Sequence, residues 1–196
     1  LTELKARGQT LAEQQADLTA AQDKQKLALA ELNDSISTKS AQLKQKEQDR
    51  KQLEDLLRAI EKAIVDLQVP ANYAAFKSAQ GKMPWPLDGK PSNLFNRPRY
   101  EGTMRWHGIT IPGKAGATVR AIHHGRVVYA DWLRGSGLLM IIDHGDSYMG
   151  LYAHNESLLR EVGEWVTAGT PVSTVGNTGG EEQTALYFEI RHDGKP

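Results

Sequence analysis

The sequence changes character abruptly at Pro70. Before that position there is no proline and no aromatic residue, and Gly8 is the single glycine, whereas every proline and all other glycines lie at Pro70 or beyond it. The first part is rich in Ala, Leu, Gln, Lys and Glu, which favour helices, while the second is interrupted by residues that end them. A chain of 196 residues divided in this way predicts a helical part followed by one domain of another class.

Apolar residues recur at intervals of seven in the helical part. This spacing makes a narrow stripe along one face of a helix, and a partner helix is needed to bury such a stripe. We therefore predict that residues 1–69 form a coiled coil whose partner helix lies upstream or in another chain. The residues that set the spacing are Leu4, Leu11 and Leu18 near the start and Leu53, Ile60 and Leu67 near the end.

Two arrangements of the helical part stay open at this level. Residues 33–38 (Asn-Asp-Ser-Ile-Ser-Thr) favour helix poorly and are compatible with a hairpin turn, but their lack of Gly and Pro favours one continuous helix. Pro70 is expected to end the helix. Residues 70–83 then form a linker, with room for a short regulatory helix at residues 72–80.

Residues 84–196 show the pattern of a β domain. From Trp106 onward, short β-branched runs alternate with glycines, as in Gly125-Arg-Val-Val-Tyr-Ala and Leu138-Leu-Met-Ile-Ile. Closely spaced strands of this kind predict an antiparallel all-β domain. The fold class expected for the chain is therefore α+β and multidomain, with a long α-helical coiled coil before the antiparallel sheet.

Composition excludes several functions. Basic and acidic side chains are equal in number, 24 of each, so nothing in the charge balance indicates a nucleic-acid partner. The lack of cysteine rules out disulfides and thiolate metal sites, and a zinc site would need His and carboxylate ligands. No stretch approaches the roughly 18 apolar residues of a membrane span.

The order of motifs in residues 84–196 resembles that of LytM-type (lysostaphin-type, duplicated-hybrid-motif) zinc peptidases of the bacterial cell wall. The resemblance covers almost the whole predicted β domain. The motifs that carry it are Trp85-Pro86, Trp106-His-Gly-Ile-Thr-Ile, Ala121-Ile-His-His-Gly-Arg-Val, Gly137-Leu-Leu-Met-Ile-Ile-Asp-His-Gly, Leu151-Tyr-Ala-His, Val162-Gly-Glu-Trp-Val-Thr-Ala-Gly, Gly176-Asn-Thr-Gly and Leu186-Tyr-Phe-Glu-Ile-Arg.

The resemblance also shows which residues are replaced. Active members carry His-x-Gly-x-Asp in the first motif and His-x-His in the last, and zinc binding is assigned to the first His, the Asp and the final His. Trp106, Thr110 and Tyr187 occupy those positions here, Ala185 replaces a catalytic His, and only His154 is retained. Catalytic zinc needs about three protein ligands besides its water, and neither an indole nor a neutral hydroxyl serves well. We therefore expect no catalytic residue, no bound metal and no cofactor.

The resemblance further implies an extended groove over the lost metal site. Apolar and aromatic residues at its floor with a polar rim would suit a protein partner. Trp106 either fills the volume that a metal would take or contributes to that surface. Adjacent His123 and His124 are expected to point to opposite faces of a strand. The residues predicted to line the partner-binding groove are His107, Thr110, Leu139, Tyr152, Tyr187 and Arg191.

A coiled coil followed by a degenerate LytM domain resembles murein hydrolase activators of the EnvC type. That resemblance implies a periplasmic protein, with a signal peptide upstream of residue 1, that activates N-acetylmuramoyl-L-alanine amidases in septal peptidoglycan splitting. It also implies docking of the coiled coil on the FtsE–FtsX division complex, peptidoglycan as a second candidate ligand, and a helical segment, here residues 72–80, that covers the groove. Two alternatives are a zinc endopeptidase with substitute ligands and a cell-wall binding or scaffold module.

Overall fold

The computed structural model of this chain describes residues 2–64, 75–92, 94–98 and 105–196. These residues divide into two compact units, Leu1–Gln48 and Asp49–Pro196. The boundary between the units lies inside a helix. The end of that helix, from Asp49 onward, therefore belongs to the same compact unit as the strands, and a domain boundary at residue 84 stays a prediction.

Helix α1 spans Thr2–Ala63 without interruption. A hairpin at residues 33–38 is thereby excluded, in keeping with the lack of Gly and Pro there. In the first unit the heptad residue Leu18 is 60% exposed, and the apolar residues Leu29, Leu32 and Ile36 are 51–56% exposed. The helix is confirmed, while its pairing into a coiled coil stays a prediction. The expected helix end near residue 69 lies outside the described residues.

The described residues of the β domain form eight strands, all paired antiparallel, as the sequence predicts. Their order is β1-β8-β5-β4-β3-β6, and β7 pairs with both β5 and β2. A short 3-10 helix, Phe76–Ala79, precedes them. The strands are β1 (Ile109–Pro112), β2 (Thr118–Arg120), β3 (Gly125–Leu133), β4 (Gly137–Asp143), β5 (Tyr148–Leu158), β6 (Trp165–Val166), β7 (Pro171–Val175) and β8 (Ala185–His192).

The sheet is apolar on both faces. Because side chains alternate along a strand, β4 sends Met140 and Ile142 into an inner core together with residues of β1, β2 and β7. Its other residues, Leu139 and Ile141, join a second cluster. We call the face that carries this second cluster the groove face.

Helix α1 supplies the other half of the second cluster. Leu57 and Ile60 are buried against the groove face, with Leu53 and Leu56 partly buried beside them. We call residues 49–63 the cover segment. The heptad spacing of Leu53 and Ile60 thus serves packing on a sheet in this unit, because a stripe at helical spacing fits a flat apolar partner as well as a helical one.

Leu57→Ala should loosen the cover segment. Its side chain is 2% exposed, and removing a buried Leu costs about 2–5 kcal/mol. We expect hydrogen exchange of the amides in residues 53–63 to accelerate by roughly 30-fold or more.

The matched control is Leu29→Ala, at a side chain that is 51% exposed on the same helix. Its effect on exchange of residues 53–63 should be negligible. Equal acceleration in the two variants would contradict the packing described.

Candidate functional site

Strands β1 and β8 bring together the positions where the resemblance expects zinc ligands. Thr110 lies directly opposite Tyr187, and Pro112 lies opposite Ala185. Trp106 is half-buried just before β1, where its N–H donates to the carbonyl of Arg97.

His154 reaches the same place from β5. A register irregularity opposite Leu138 and Met140 in β4 interrupts regular pairing there, and His154 itself has a φ of +63°. The ring of His154 meets that of Tyr187 edge-on, with 6.1 Å between centroids. Its Nδ1 lies 2.8 Å from the carbonyl oxygen of Thr178, which can only accept, so Nδ1 carries the proton.

The donor set at this place does not suit catalytic zinc. Thr110 and Tyr187 offer neutral hydroxyls, and the phenol of Tyr187 donates to Glu189 Oε2 at 2.6 Å. Among the described ranges, no group of three or more His, Asp or Glu side chains is arranged to hold a metal ion. The single imidazole of His154 falls short of the roughly three ligands that catalytic zinc takes.

A buried polar network has formed beside the former ligand positions. Every second residue of β8 from position 187 is polar, and such residues share one face of the strand. These residues are Tyr187, Glu189 and Arg191. Glu189 accepts from Tyr187 and, at 2.8 Å, from Arg191 Nη1. Burial raises the pKa of the Glu189 carboxyl, and the hydrogen bonds from Tyr187 and the charge of Arg191 oppose that rise. Arg191 is only 2% exposed, so the network is part of the folded structure.

The cover segment completes this network from above. Glu54 accepts two hydrogen bonds from Arg191, at 2.9 and 3.2 Å, which is the two-pronged geometry that guanidinium and carboxylate favour. Arg50 Nη2 lies 2.8 Å from His107 Nε2. At the start of the segment, Asp49 pairs with Arg134 at 3.3 Å.

The structure brings five of the six predicted groove residues to this face or its edge and separates one. Leu139 and Tyr187 belong to the apolar cluster under the cover segment, His107 and Arg191 bind its polar side, and Thr110 lies opposite Tyr187. Tyr152 is fully buried in the inner core, where its hydroxyl accepts from the N–H of Ile122. As lining of the groove, Tyr152 is therefore excluded.

The segment named from the sequence as a candidate cover, residues 72–80, does not lie on the groove face where the structure describes it. Of residues 72–80, residues 72–74 lie outside the described part, and Phe76 packs into the inner core against His144 and Tyr148, with ring centroids 4.8 Å away in each case. Residues 49–63 lie on the groove face instead. A signal for this was present in the sequence, since Leu53, Leu56, Leu57 and Ile60 recur at helical spacing, and these are the residues that pack on the sheet.

Two adjacent histidines also depart from expectation. His123 and His124 follow β2 outside any strand, and their rings are 4.0 Å apart instead of on opposite faces. His144 packs beside His123 at 5.9 Å, and burial lowers its pKa to about 4. Burial also lowers the pKa of His123 and His124, and the rings of His123 and His144 pack against Phe76.

Comparison with known proteins agrees with this fold. Residues 104–196 match the family model described as Peptidase family M23. This part of the chain is a peptidase family M23 domain. A Pseudomonas aeruginosa chain described as a peptidase M23 superposes with a TM-score of 0.55 at 20% identity, over 72% of this chain and 54% of that one.

Two curated relatives are similar in sequence. "Murein hydrolase activator EnvC" of Escherichia coli is 41% identical over 116 residues, which is 59% of this chain and 27% of that protein. "Murein hydrolase activator NlpD" of Salmonella dublin is 45% identical over 112 residues, 57% of this chain and 28% of that protein. The matched part thus spans little more than a quarter of each relative, and these relatives of the M23 domain are named as activators of murein hydrolases.

Arg191→Met should destabilise the M23 domain far more than Glu54→Gln. Losing Arg191 leaves Glu189 buried without its countercharge, which costs about 3–5 kcal/mol, whereas the side chain of Glu54 is 29% exposed and its loss should cost roughly 1 kcal/mol. Urea unfolding of the two variants measures the difference. Equal losses would show that the Glu189–Arg191 pair is not the buried element of the network.

Proposed function

We propose that this chain is a non-catalytic activator of periplasmic N-acetylmuramoyl-L-alanine amidases in septal peptidoglycan splitting, and that it binds the amidase through the groove face. The observation that carries the proposal is the cover segment on that face. A surface that buries Leu57 and pairs Arg191 with Glu54 is chemically equipped to bind a protein segment. The names of the EnvC and NlpD relatives support the same role.

The absence of catalysis in this proposal rests on chemistry at the substituted positions. Without metal, the one retained imidazole, His154, has no means of generating hydroxide at neutral pH. The hydroxyl of Tyr187 is committed to Glu189, so it serves the polar network in place of metal binding. The domain keeps the frame of a peptidase and uses its surface for recognition.

The groove face is closed by the chain itself, so the proposal includes autoinhibition. A partner has to displace residues 49–63 or wait for their release, and the fraction of open protein limits the apparent affinity. Because the occupant in this structure is an amphipathic helix with one carboxylate on Arg191, the amidase segment that replaces it should be of the same kind. Docking of the helical residues 1–48 on the FtsE–FtsX complex would then supply the release.

Leu57→Asp should turn the chain into a stronger activator. An uncompensated carboxylate cannot remain in the apolar cluster, so the cover segment should leave the groove face. We expect dye release from labelled peptidoglycan by a purified N-acetylmuramoyl-L-alanine amidase to rise at least tenfold over that with the unaltered chain.

Two comparisons make this result specific. Leu29→Asp, on the exposed part of α1, should leave the rate unchanged. Adding Tyr187→Ala to Leu57→Asp should remove the stimulation, whereas adding Trp165→Ala, at an exposed side chain on edge strand β6, should not. Failure of both the unaltered and the released chain to stimulate any amidase would overturn the proposal.

The purified chain should release no fragments from sacculi, with or without added zinc. Metal analysis after dialysis should give far less than one zinc per chain. Stoichiometric zinc together with hydrolysis that is lost in His154→Ala would favour the endopeptidase alternative. Binding to sacculi without any effect on amidases would favour the cell-wall scaffold.

A further inference from the structure

His107 lies between a positive and a negative side chain of the cover segment, Arg50 and Glu54. Arg50 Nη2 is 2.8 Å from His107 Nε2, and Glu54 Oε1 is 4.0 Å from His107 Nδ1. Arg191 holds Glu54 from the β8 side, and Glu189 and Tyr187 lie behind Arg191. The imidazole is thus a direct contact of the cover segment with the M23 domain.

The contact with Arg50 requires a neutral imidazole. A guanidinium has donors and no acceptor, so His107 Nε2 has to accept with its lone pair and the ring proton sits on Nδ1, on the side of Glu54. Protonation would place an N–H at Nε2 directly against an N–H of Arg50. That contact would be lost, and two positive charges would face each other across 2.8 Å.

The surroundings of His107 agree with a neutral ring. Burial lowers the pKa of His107, the charges of Arg50 and Arg191 lower it further, and Glu54 alone opposes them. When the cover segment leaves, Arg50 and much of the burial leave with it, and the pKa of His107 should return toward its ordinary value of about 6.5. The uncovered form therefore binds a proton more readily than the covered form.

We propose that the hydrogen bond from Arg50 to neutral His107, which we call the clasp, helps to hold the cover segment on the groove face. Mild acid protonates His107, breaks the clasp and releases the cover segment. The direction follows from linkage: the contribution of the clasp is complete above the pKa of the uncovered form and declines as the pH falls below it. The negative charge of Glu54 favours protonated His107 in the covered form, but Glu54 is already bound to Arg191. Acid thus favours the open groove, which under the proposed function is the form that binds the partner.

The test is hydrogen exchange of the amides in residues 53–63 of the full chain at pH 7.5 and pH 5.5, corrected for the intrinsic pH dependence of exchange. The open fraction of the unaltered chain should rise by about five- to tenfold at the lower pH, since each pKa unit of difference is worth a factor of ten. His107→Gln should remove this rise, because an amide oxygen can accept from Arg50 without titrating. The open fraction of that variant at pH 7.5 should match the unaltered chain.

His192→Gln is the matched control. His192 is half-exposed at the end of β8 and stacks on Tyr148, with 4.1 Å between ring centroids. Its replacement should leave the pH response intact. Arg50→Met should raise the open fraction at pH 7.5 and flatten the response.

Persistence of the full pH response in His107→Gln, or its absence from the unaltered chain, would overturn the inference. This readout involves no amidase. Acid-induced opening that fails to increase amidase stimulation would therefore count against the proposed function and leave the clasp standing. A chain that stimulates an amidase but opens equally at both pH values would count against the clasp and leave the proposed function standing.

Discussion

A sheet that is apolar on both faces has to be covered on both, and this requirement organises the M23 domain. The inner core buries one set of alternating side chains, such as Met140 and Ile142, against other strands. Within the described ranges, the second set, including Leu139 and Ile141, packs against Leu57 and Ile60 of α1. The polar contacts of Glu54 and Arg50 only become specific because the apolar contact fixes the helix at that height over the sheet.

The same geometry explains how the positions where the resemblance expects zinc ligands come to join a polar network instead. The pairing of β1 with β8 still places Thr110 opposite Tyr187, so the positions remain together although their chemistry has changed. Tyr187 then connects to Glu189 and Arg191 along one strand face. The positions where the resemblance expects zinc ligands thus lie at one end of a polar network, and Arg191 at its other end binds the carboxylate of Glu54.

Much of this arrangement could be predicted from sequence, and the failures have physical causes. An abundance of helix formers without Pro predicted α1, and the order of motifs predicted that Thr110 and Tyr187 would lie together, as they do. Heptad spacing could not say whether Leu53 and Ile60 meet a helix or a sheet, since both partners accept the same stripe. Alternation of side chains along β5 places Tyr152 on the face opposite the groove face. The same alternation would place His154 there too. The irregular pairing of β5 with β4 and the positive φ at His154 turn that ring toward Tyr187 instead.

The hydrogen bond from Tyr187 to Glu189 also bears on how this domain can evolve. Replacing Tyr187 by His would restore one zinc ligand while removing a donor from a carboxylate that is 2% exposed. Replacing Thr110 by Asp would add a carboxylate directly opposite Tyr187, whose hydroxyl is already bound to Glu189. Either replacement alone supplies one ligand, fewer than the three or so that catalytic zinc takes. Acquiring zinc binding at position 187 would therefore cost a buried hydrogen bond that the fold now uses.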